Sequence, residues 1–381
     1  MTRPEWIIVD QLFDGATLRQ GLALQIADDA VVAVRPAHDL PKTALALRMN
    51  GTVTPGFIDL QVNGGGDVLL NQVPTPAGMA RMAAAHRRFG SVAILPTLIT
   101  DAPEVLARAA ESAIAAKGQT GIIGLHIEGP HISVARRGTH AECFVRPLDE
   151  VTINIVRALR QAGIAVMITL APEAVCSGQI AALAASGAVV SIGHSDATAD
   201  QTRAALAEGA SCFTHLFNAM SPMLNRSAGV VGAAINSTAH AGIICDGIHV
   251  ADEMVGLALR ARPVSDRMFL VSDAMSTVGG SDHFMLYGQT IWLRDGRLVN
   301  KEGSLAGAHV TMAESLQRLV QVVGVPAEAA LRMAVSVPAT VIGRTDLARI
   351  EGRALADLLL LDTNLAATSL ADHLAKTPAR T

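Results

Sequence analysis

The hydrophobic pattern of the chain changes near residue 53. From there on, short apolar runs alternate with longer alanine-rich stretches that have helical spacing. Such alternation is typical of repeated β–α units and a parallel sheet. The predicted strands are residues 56–62, 92–95, 121–127, 165–170, 188–192, 212–214, 242–245 and 268–271. Eight strands in this arrangement predict an α/β fold, a closed (β/α)8 TIM-like barrel.

Helical stretches separate the predicted strands. Several begin after a Ser, Thr or Asp that can cap a helix, and several end at Gly. The predicted helices are residues 75–89, 103–117, 149–161, 199–208 and 252–260, followed by 309–323 and 327–335 after the eighth strand. Residues 290–299 predict a hairpin around Asp295-Gly296.

The first 52 residues have a different pattern, with strand-like runs separated by Asp-Gly and Asp-Asp turns. Residues 6–9, 22–27 and 31–34 are the predicted strands there, and the apolar run 354–362 is expected to return to them. We therefore predict a small β-sandwich domain formed by the N- and C-terminal segments. Its parts are residues 1–52 and 346–381, the latter ending in a tail without strand pattern at 371–381, and the barrel occupies 53–345.

Composition narrows the class of protein. Half of the 381 residues are hydrophobic and the net charge is −4, so no basic field favours nucleic acid or an anionic membrane. Glu5 and Asp10 interrupt the apolar stretch that a signal peptide needs, and no run reaches the ~18 apolar residues of a membrane helix. We expect a cytoplasmic protein. The four cysteines form no CxxC pair and are predicted to be reduced thiols in or near the core: Cys143, Cys176, Cys212 and Cys245.

Candidate chemistry lies where the predicted strands end. Glu128 closes an apolar strand, and a carboxylate at such a place needs a partner or a metal because an unpaired buried charge costs several kcal/mol. His194, His215 and Asp273 follow three further strands. Each histidine alone could be a structural group, but strand ends of a barrel converge on one mouth. We expect Glu128, His194 and His215 to bind one divalent cation with a position left open for water, which Asp273 would face.

The same residues limit the choice of metal. Two imidazoles and one carboxylate suit Zn²⁺, our first choice, and also Fe²⁺, Co²⁺ or Mn²⁺. Many two-metal hydrolases of this fold carry His-x-His on the first strand, where this chain has Gln61-Val-Asn63. Gln61 and Asn63 therefore mark a second-metal position that we expect to be empty. The fourth strand has no lysine, which argues against a lysine-bridged pair of metals.

Two other motifs permit more than one interpretation. Arg136 and Arg137 follow the Glu128 turn, and they suit either a phosphate contact or a solvated loop. Glu173 is interpreted as a structural hydrogen-bond acceptor rather than a catalytic group.

Taken in order, the motifs resemble the N-acetylglucosamine-6-phosphate deacetylases of the amidohydrolase superfamily, over nearly the whole chain. They are Pro55-Gly-Phe-Ile-Asp-Leu-Gln-Val-Asn-Gly64, Leu125-His-Ile-Glu-Gly-Pro130, Gly138-Thr-His140, Leu170-Ala-Pro-Glu173, Gly193-His-Ser195, Thr214-His-Leu-Phe-Asn-Ala-Met220, Asp246-Gly-Ile-His249 and Val271-Ser-Asp-Ala-Met275. The resemblance implies that Glu128, His194 and His215 hold the metal, that Asp273 is general base and then acid, and that His140 polarises the acetyl carbonyl. It implies substrate contacts from Thr139, Asn218, Ala219, Arg226, His249, Leu305, Ala306 and Gly307. It also implies a homodimer whose partner subunit helps to close the phosphate site.

The expected activity is hydrolysis of N-acetyl-D-glucosamine 6-phosphate to D-glucosamine 6-phosphate and acetate, in amino-sugar catabolism. N-acetylgalactosamine 6-phosphate is the alternative substrate, because the sequence does not distinguish the two epimers. More distant alternatives are the cyclic amidases and D-amino-acid deacylases on the same scaffold, which would carry a carboxylate-binding arginine or lysine-bridged metals. A barrel that only binds sugar phosphates would be expected to lack Asp273 or a metal ligand, and all four residues are present.

Overall fold

A computed structural model describes residues 5–301, 303 and 305–376 of the chain. Eight parallel strands form one sheet in which sequence neighbours pair throughout. A bridge between Val62 and Ala274 joins the first strand to the segment after the eighth, and closes the sheet. The barrel strands are Phe57–Val62, Ser91–Ile99, Gly124–Glu128, Ala165–Leu170, Val189–Ile192, Cys212–Phe213, His240–Ile243 and Met268–Leu270. The predicted TIM-like barrel is confirmed.

Helices surround the barrel, and local capping explains their ends. Thr198 and Gln201 form a capping box at the start of Ala199–Glu208, and Gly209 follows its last residue. Two helices were not predicted, Gln179–Ala185 and Gly229–Ile235, because seven residues are too few to show a helical period. The others in the barrel are Pro76–Arg87, Pro103–Ala115, Glu150–Gln161, Asp252–Ala261 and Met312–Gln321.

Shorter elements lie between the main strands and helices. Two small strands, Gly64–Gly65 and Val68–Leu69, pair after the first barrel strand. Single 3-10 turns lie at Ala37–Asp39, Val134–Arg136, Glu142–Phe144, Pro172–Ala174, Thr345–Ala348 and Leu355–Asp357. The predicted hairpin around Asp295 is present as Gln289–Arg294 and Arg297–Val299, and a third strand, His283–Leu286, extends it.

The predicted helix at 327–335 is longer than expected. Ala327–Leu331 continues through a π-helical turn, Arg332–Ser336, into Val337–Val341. Burial of Met333, Ala334 and Val335 against the barrel stabilises this continuous helical segment.

The small β domain is a six-stranded sheet. In spatial order its strands are Ala367–Ser369, Leu358–Leu361, Ala46–Pro55, Trp6–Phe13, Leu18–Ala27 and Ala30–Pro36. Leu358–Leu361 pairs antiparallel with Ala46–Pro55, which confirms the predicted return of the C-terminal segment. The strand Ala46–Pro55 was missed, since Asn50-Gly51 reads as a turn and Gly51 has φ of +111°.

The C-terminal tail begins with a helix and has no strand among its described residues. Residues Leu370–Lys376 form a helix, and Leu370 is buried in the core of the small sheet. Residues 377–381 of the predicted tail lie outside the described part of the chain. The boundaries at residues 52 and 345 stay predictions.

The cysteines only partly follow the expectation. Cys212 and Cys245 are buried and free, as predicted, but Cys143 and Cys176 are exposed, because both lie in connections at the barrel surface rather than on strands. Within the described residues, no helix is long and apolar enough to cross a membrane.

Candidate active site

The carboxyl ends of the barrel strands bring the three predicted metal ligands together. Oε1 of Glu128 lies 3.2 Å from Nε2 of His194 and 2.9 Å from Nε2 of His215. The two Nε2 atoms are 3.0 Å apart. All three side chains are buried, and their ligand atoms lie within 4.8 Å of one another. One oxygen and two nitrogens therefore converge on a single point.

The hydrogen bonds around these atoms fit a divalent cation. Nδ1–H of His194 donates to the backbone carbonyl of Arg136 at 2.9 Å, so Nε2 is the ring nitrogen that faces Glu128. Burial alone would raise the pKa of Glu128, but its bonds with His194 and His215 hold that pKa well below the usual range. An ionised carboxylate with two imidazole nitrogens is a donor set typical of zinc and similar ions.

The backbone is strained at the candidate site residues. His194 has φ of +49°, His215 of +29° and Asp273 of +52°, all in the left-handed region that side chains disfavour. Each such residue costs on the order of 1–3 kcal/mol, and such strain is concentrated at functional sites. The sharp turns redirect these side chains from the strand ends toward the barrel axis.

Asp273 is bound by two side-chain amides at the end of the first strand. Its Oδ1 accepts Nδ2–H of Asn63 at 2.7 Å and Nε2–H of Gln61 at 3.0 Å. Gln61 Nε2 also donates to Glu128 at 2.9 Å. Burial, followed by the nearby charge of Glu128, raises the pKa of Asp273 to about 6. The side-chain amides of Gln61 and Asn63 thus hold the two carboxylates, and Asp273 is mostly ionised at neutral pH.

His140 offers a hydrogen-bond donor to the cavity. Its Nδ1 lies 2.7 Å from Oγ1 of Thr100 and accepts the backbone N–H of Thr100 at 3.4 Å. The remaining ring nitrogen, Nε2, then carries the proton. Burial, and then the neighbouring His194, hold the pKa of His140 well below its usual range, so the ring is neutral. Thr100 was not identified from the sequence, since a threonine at a strand end carries no signal of its own.

A buried carboxylate also lies below the site, on the first strand. Oδ1 of Asp59 accepts the backbone N–H groups of Gln61 and Ser272, each at 3.2 Å. Its Oδ2 has no hydrogen-bond partner among the described residues. Burial raises the pKa of Asp59 to about 7. This side chain joins the first and eighth strands where the barrel closes, a role that sequence reasoning missed.

The candidate residues surround a cavity of about 230 Å³ at the mouth of the barrel. Six predicted substrate contacts line it: Thr139, Asn218, Ala219, His249, Leu305 and Gly307. Ile99 and Met275 line it too, and neither was predicted. Ala306 is buried beside the lining, and Arg226 is exposed on a loop outside the cavity. A single subunit therefore does not bring Arg226 into the site.

The two basic residues after the Glu128 turn take part in ion pairs. Arg136 binds Asp196 at 2.8 Å and Arg137 lies 3.3 Å from Glu142. Both contacts favour the surface-loop interpretation, and it is the backbone carbonyl of Arg136 that reaches the site.

Glu173 binds the segment that follows His194. Its Oε2 accepts Ser195 Oγ at 2.7 Å and its Oε1 accepts the backbone N–H of Asp196 at 2.6 Å. Both oxygens are thus used to hold the backbone beyond the fifth strand. The predicted structural acceptor is confirmed.

Comparison with known proteins identifies the family. The profile of the Amidohydrolase family matches residues 52–379. The chain belongs to this family. It is 41% identical over 355 residues to an N-acetylgalactosamine-6-phosphate deacetylase of Shewanella sp. (strain ANA-3), covering 91% of this chain and 89% of that protein. It is 33% identical to the N-acetylglucosamine-6-phosphate deacetylase of Haemophilus influenzae, covering 90% and 91% respectively.

A solved structure agrees with these relatives. The N-acetylglucosamine-6-phosphate deacetylase from Pasteurella multocida superposes with a TM-score of 0.88 at 33% identity, covering 95% of this chain and 96% of that one. The resemblance inferred from the motifs is confirmed, and the chain is an enzyme of this hydrolase family.

Proposed function

We propose that this hydrolytic deacetylase removes the acetyl group from an N-acetylated hexosamine 6-phosphate, giving acetate and the free amino sugar phosphate. The observation that carries the proposal is the buried cluster of Glu128, His194 and His215 beside Asp273, at the base of a cavity. The names of the relatives from Shewanella and Haemophilus support the substrate class.

Glu128, His194 and His215 would hold the cation, one per subunit, with Zn²⁺ as first choice and Fe²⁺, Co²⁺ or Mn²⁺ as alternatives. When bound, a divalent ion there supplies Lewis acidity toward the amide carbonyl and makes water a better nucleophile at neutral pH. The amides of Gln61 and Asn63 are hydrogen-bonded to carboxylates, which supports a single-metal site.

His140 stabilises the developing negative charge, and Asp273 transfers the proton. Nε2–H of His140 donates to the carbonyl oxygen, where negative charge develops during attack by water. The carboxylate of Asp273 accepts the proton of the attacking water and then donates it to the amide nitrogen. Protonation is needed because an amine leaves far more readily than an amide anion. The buried, ionised state of Asp273 is suited to this exchange.

Phosphate recognition is assigned to His249, at the rim of the cavity, and to Arg226. Because Arg226 lies outside the cavity of its own subunit, this assignment goes with a homodimer in which a second subunit helps to close the phosphate site. The predicted cytoplasmic location accords with a sugar-phosphate substrate, since such substrates are intracellular metabolites.

Two epimers are candidate substrates. N-acetylglucosamine 6-phosphate is supported by the motifs and by the Haemophilus relative, and N-acetylgalactosamine 6-phosphate by the 41% identity to the Shewanella relative. They differ only in the configuration of one hydroxyl group.

The test is acetate release by metal-replete protein from both 6-phosphates, with unphosphorylated N-acetylglucosamine beside them. We expect release from at least one 6-phosphate. The ratio of the two kcat/KM values identifies the preferred epimer. Equal kcat/KM for the unphosphorylated sugar would refute the phosphate assignment, and no release from either phosphate would refute the proposed substrate class.

A further inference from the structure

Asp246 holds His249 in a fixed orientation at the rim of the cavity. It follows the seventh barrel strand, and its Oδ1 accepts the backbone N–H groups of Ile248 and His249, each at 2.8 Å. Its Oδ2 lies 2.6 Å from Nδ1 of His249. The side chains of Asp246 and His249 are only 6% and 10% exposed. One carboxylate therefore fixes both the backbone turn and the imidazole ring.

The turn from Asp246 to His249 is also restricted by Arg318. Gly247 has φ of +70°, and a Cβ added there would lie 2.0 Å from Nη2 of Arg318. The guanidinium of Arg318 is itself fixed by two 2.7 Å bonds to the carboxylate of Asp252. The backbone between Asp246 and His249 consequently has little freedom to reorient the ring.

This arrangement decides which nitrogen of His249 faces a ligand. Asp246 accepts Nδ1–H, so Nε2 is the nitrogen left for the cavity that His249 lines. A neutral ring in this tautomer would present a lone pair, which repels an anion. With a second proton on Nε2, the ring is a cation between the carboxylate and an anionic ligand, and donates a charge-assisted bond. Burial alone would raise the pKa of Asp246, but its hydrogen bonds with the His249 ring and with the backbone N–H groups of Ile248 and His249 lower it, so the carboxylate is ionised.

We propose that Asp246 is a positioning residue for substrate selectivity: by holding Nδ1 of His249 it fixes the ring so that Nε2 faces the phosphate group of the substrate. The inference rests on the proposed function, because it requires the amino-sugar substrate to place its phosphate at His249. Asp246 itself does not contact the substrate.

The test is the Asp246→Asn variant, in steady-state assays with the preferred amino-sugar 6-phosphate and its unphosphorylated form. The asparagine oxygen can still accept both backbone N–H groups, but its NH₂ group cannot accept Nδ1–H and the negative charge is gone. We expect KM for the 6-phosphate to rise about tenfold or more, as a charge-assisted bond is lost, with kcat nearly unchanged. The inhibition constant of inorganic phosphate should rise similarly, and kcat/KM for the unphosphorylated sugar should not change.

A matched control is Asp14→Asn. Oδ1 of Asp14 accepts the backbone N–H groups of Ala16 and Thr17, both at 2.9 Å, in the same kind of turn but without a histidine partner. This variant should leave all three measurements unchanged. In the double variant of Asp246→Asn with His249→Gln, KM should be no higher than in His249→Gln alone, since both act on the same contact.

Three outcomes separate the possible failures. An unchanged KM for the 6-phosphate in Asp246→Asn overturns the inference while the proposed function stands. An equal loss of kcat on both substrates shows that Asp246 only maintains the structure of the turn, and also overturns the inference. Absence of acetate release from either 6-phosphate by the wild type overturns the proposed function and the inference together.

Discussion

Replacing Asp273 by asparagine tests its role as the proton acceptor. The asparagine oxygen can still accept the amide hydrogens of Gln61 and Asn63, which are 3.0 and 2.7 Å away in the wild type. Glu128, His194 and His215 are not altered, so the proposed metal site should be retained. The change therefore removes the basic oxygen with little effect on the surrounding packing.

The expected magnitude follows from the protonation state of Asp273. With a pKa of about 6, it is ionised in roughly 30 molecules for each protonated one at pH 7.5. Nearly the whole wild-type population can thus accept the proton, and the variant cannot. General acid–base catalysis contributes about 10²- to 10⁴-fold, or about 3 to 5 kcal/mol in the barrier. We expect kcat to fall by that factor while KM changes less than about threefold.

The assay is acetate release at pH 7.5 with metal content measured on the same preparation. Asp346→Asn is a matched control, since Asp346 forms an exposed ion pair with Arg344 and does not line the cavity. It should keep wild-type turnover. If Asp273→Asn kept kcat within about fivefold of wild type, Asp273 would not be the general base. If it lost its metal as well, the loss of turnover would not report on proton transfer.

Three further predictions test the site and its support. His215→Ala should lower metal affinity more than about 100-fold, because it removes one of three ligand atoms beside Glu128. Thr100→Val should lower kcat about tenfold with KM unchanged, because Oγ1 of Thr100 no longer fixes the ring of His140. The pKa of Asp59 is about 7 in the folded protein and ordinarily 3.8. The folded state therefore binds the proton more tightly, and the resulting stabilisation is fully present below about pH 4. It is lost as the pH rises to about 7. Between pH 5 and 8, urea unfolding should therefore show Asp59→Asn gaining about 2 to 3 kcal/mol relative to wild type.

The first two of these predictions have control variants, and each of the three has a contradicting result. His240→Ala removes a histidine bonded to Arg267 at the start of the seventh strand, and should leave metal affinity unchanged. Thr202→Val removes a buried hydroxyl from a surrounding helix and should leave kcat unchanged. Metal affinity unaffected by His215→Ala, equal kcat in Thr100→Val and wild type, or parallel pH curves for Asp59→Asn and wild type would contradict the respective arguments.

The sequence predicted the barrel and the cluster of candidate metal ligands because both leave a signal along the chain. Buried parallel strands read as apolar runs, and Glu128, His194, His215 and Asp273 stand out as polar residues at their ends. The converging geometry then follows from the fold, without knowledge of side-chain contacts. The cluster within 4.8 Å agrees with this reasoning.

Other features depend on three-dimensional contacts that no local pattern records. The left-handed backbone at His194, His215 and Asp273 is imposed by the surrounding barrel, since none of these residue types requires it. The contact between Thr100 and His140 joins residues 40 positions apart. The exposed position of Arg226 could not be distinguished from a place in the cavity, because motif order says nothing about which way a loop turns.

The most direct test of the account is acetate release from the two amino-sugar 6-phosphates by one preparation, first stripped of metal and then titrated with Zn²⁺. The account predicts no release from the stripped protein and turnover that rises to a plateau at one equivalent of metal per chain. Full turnover without metal, a plateau at two equivalents, or no release from either substrate at any metal content would contradict it.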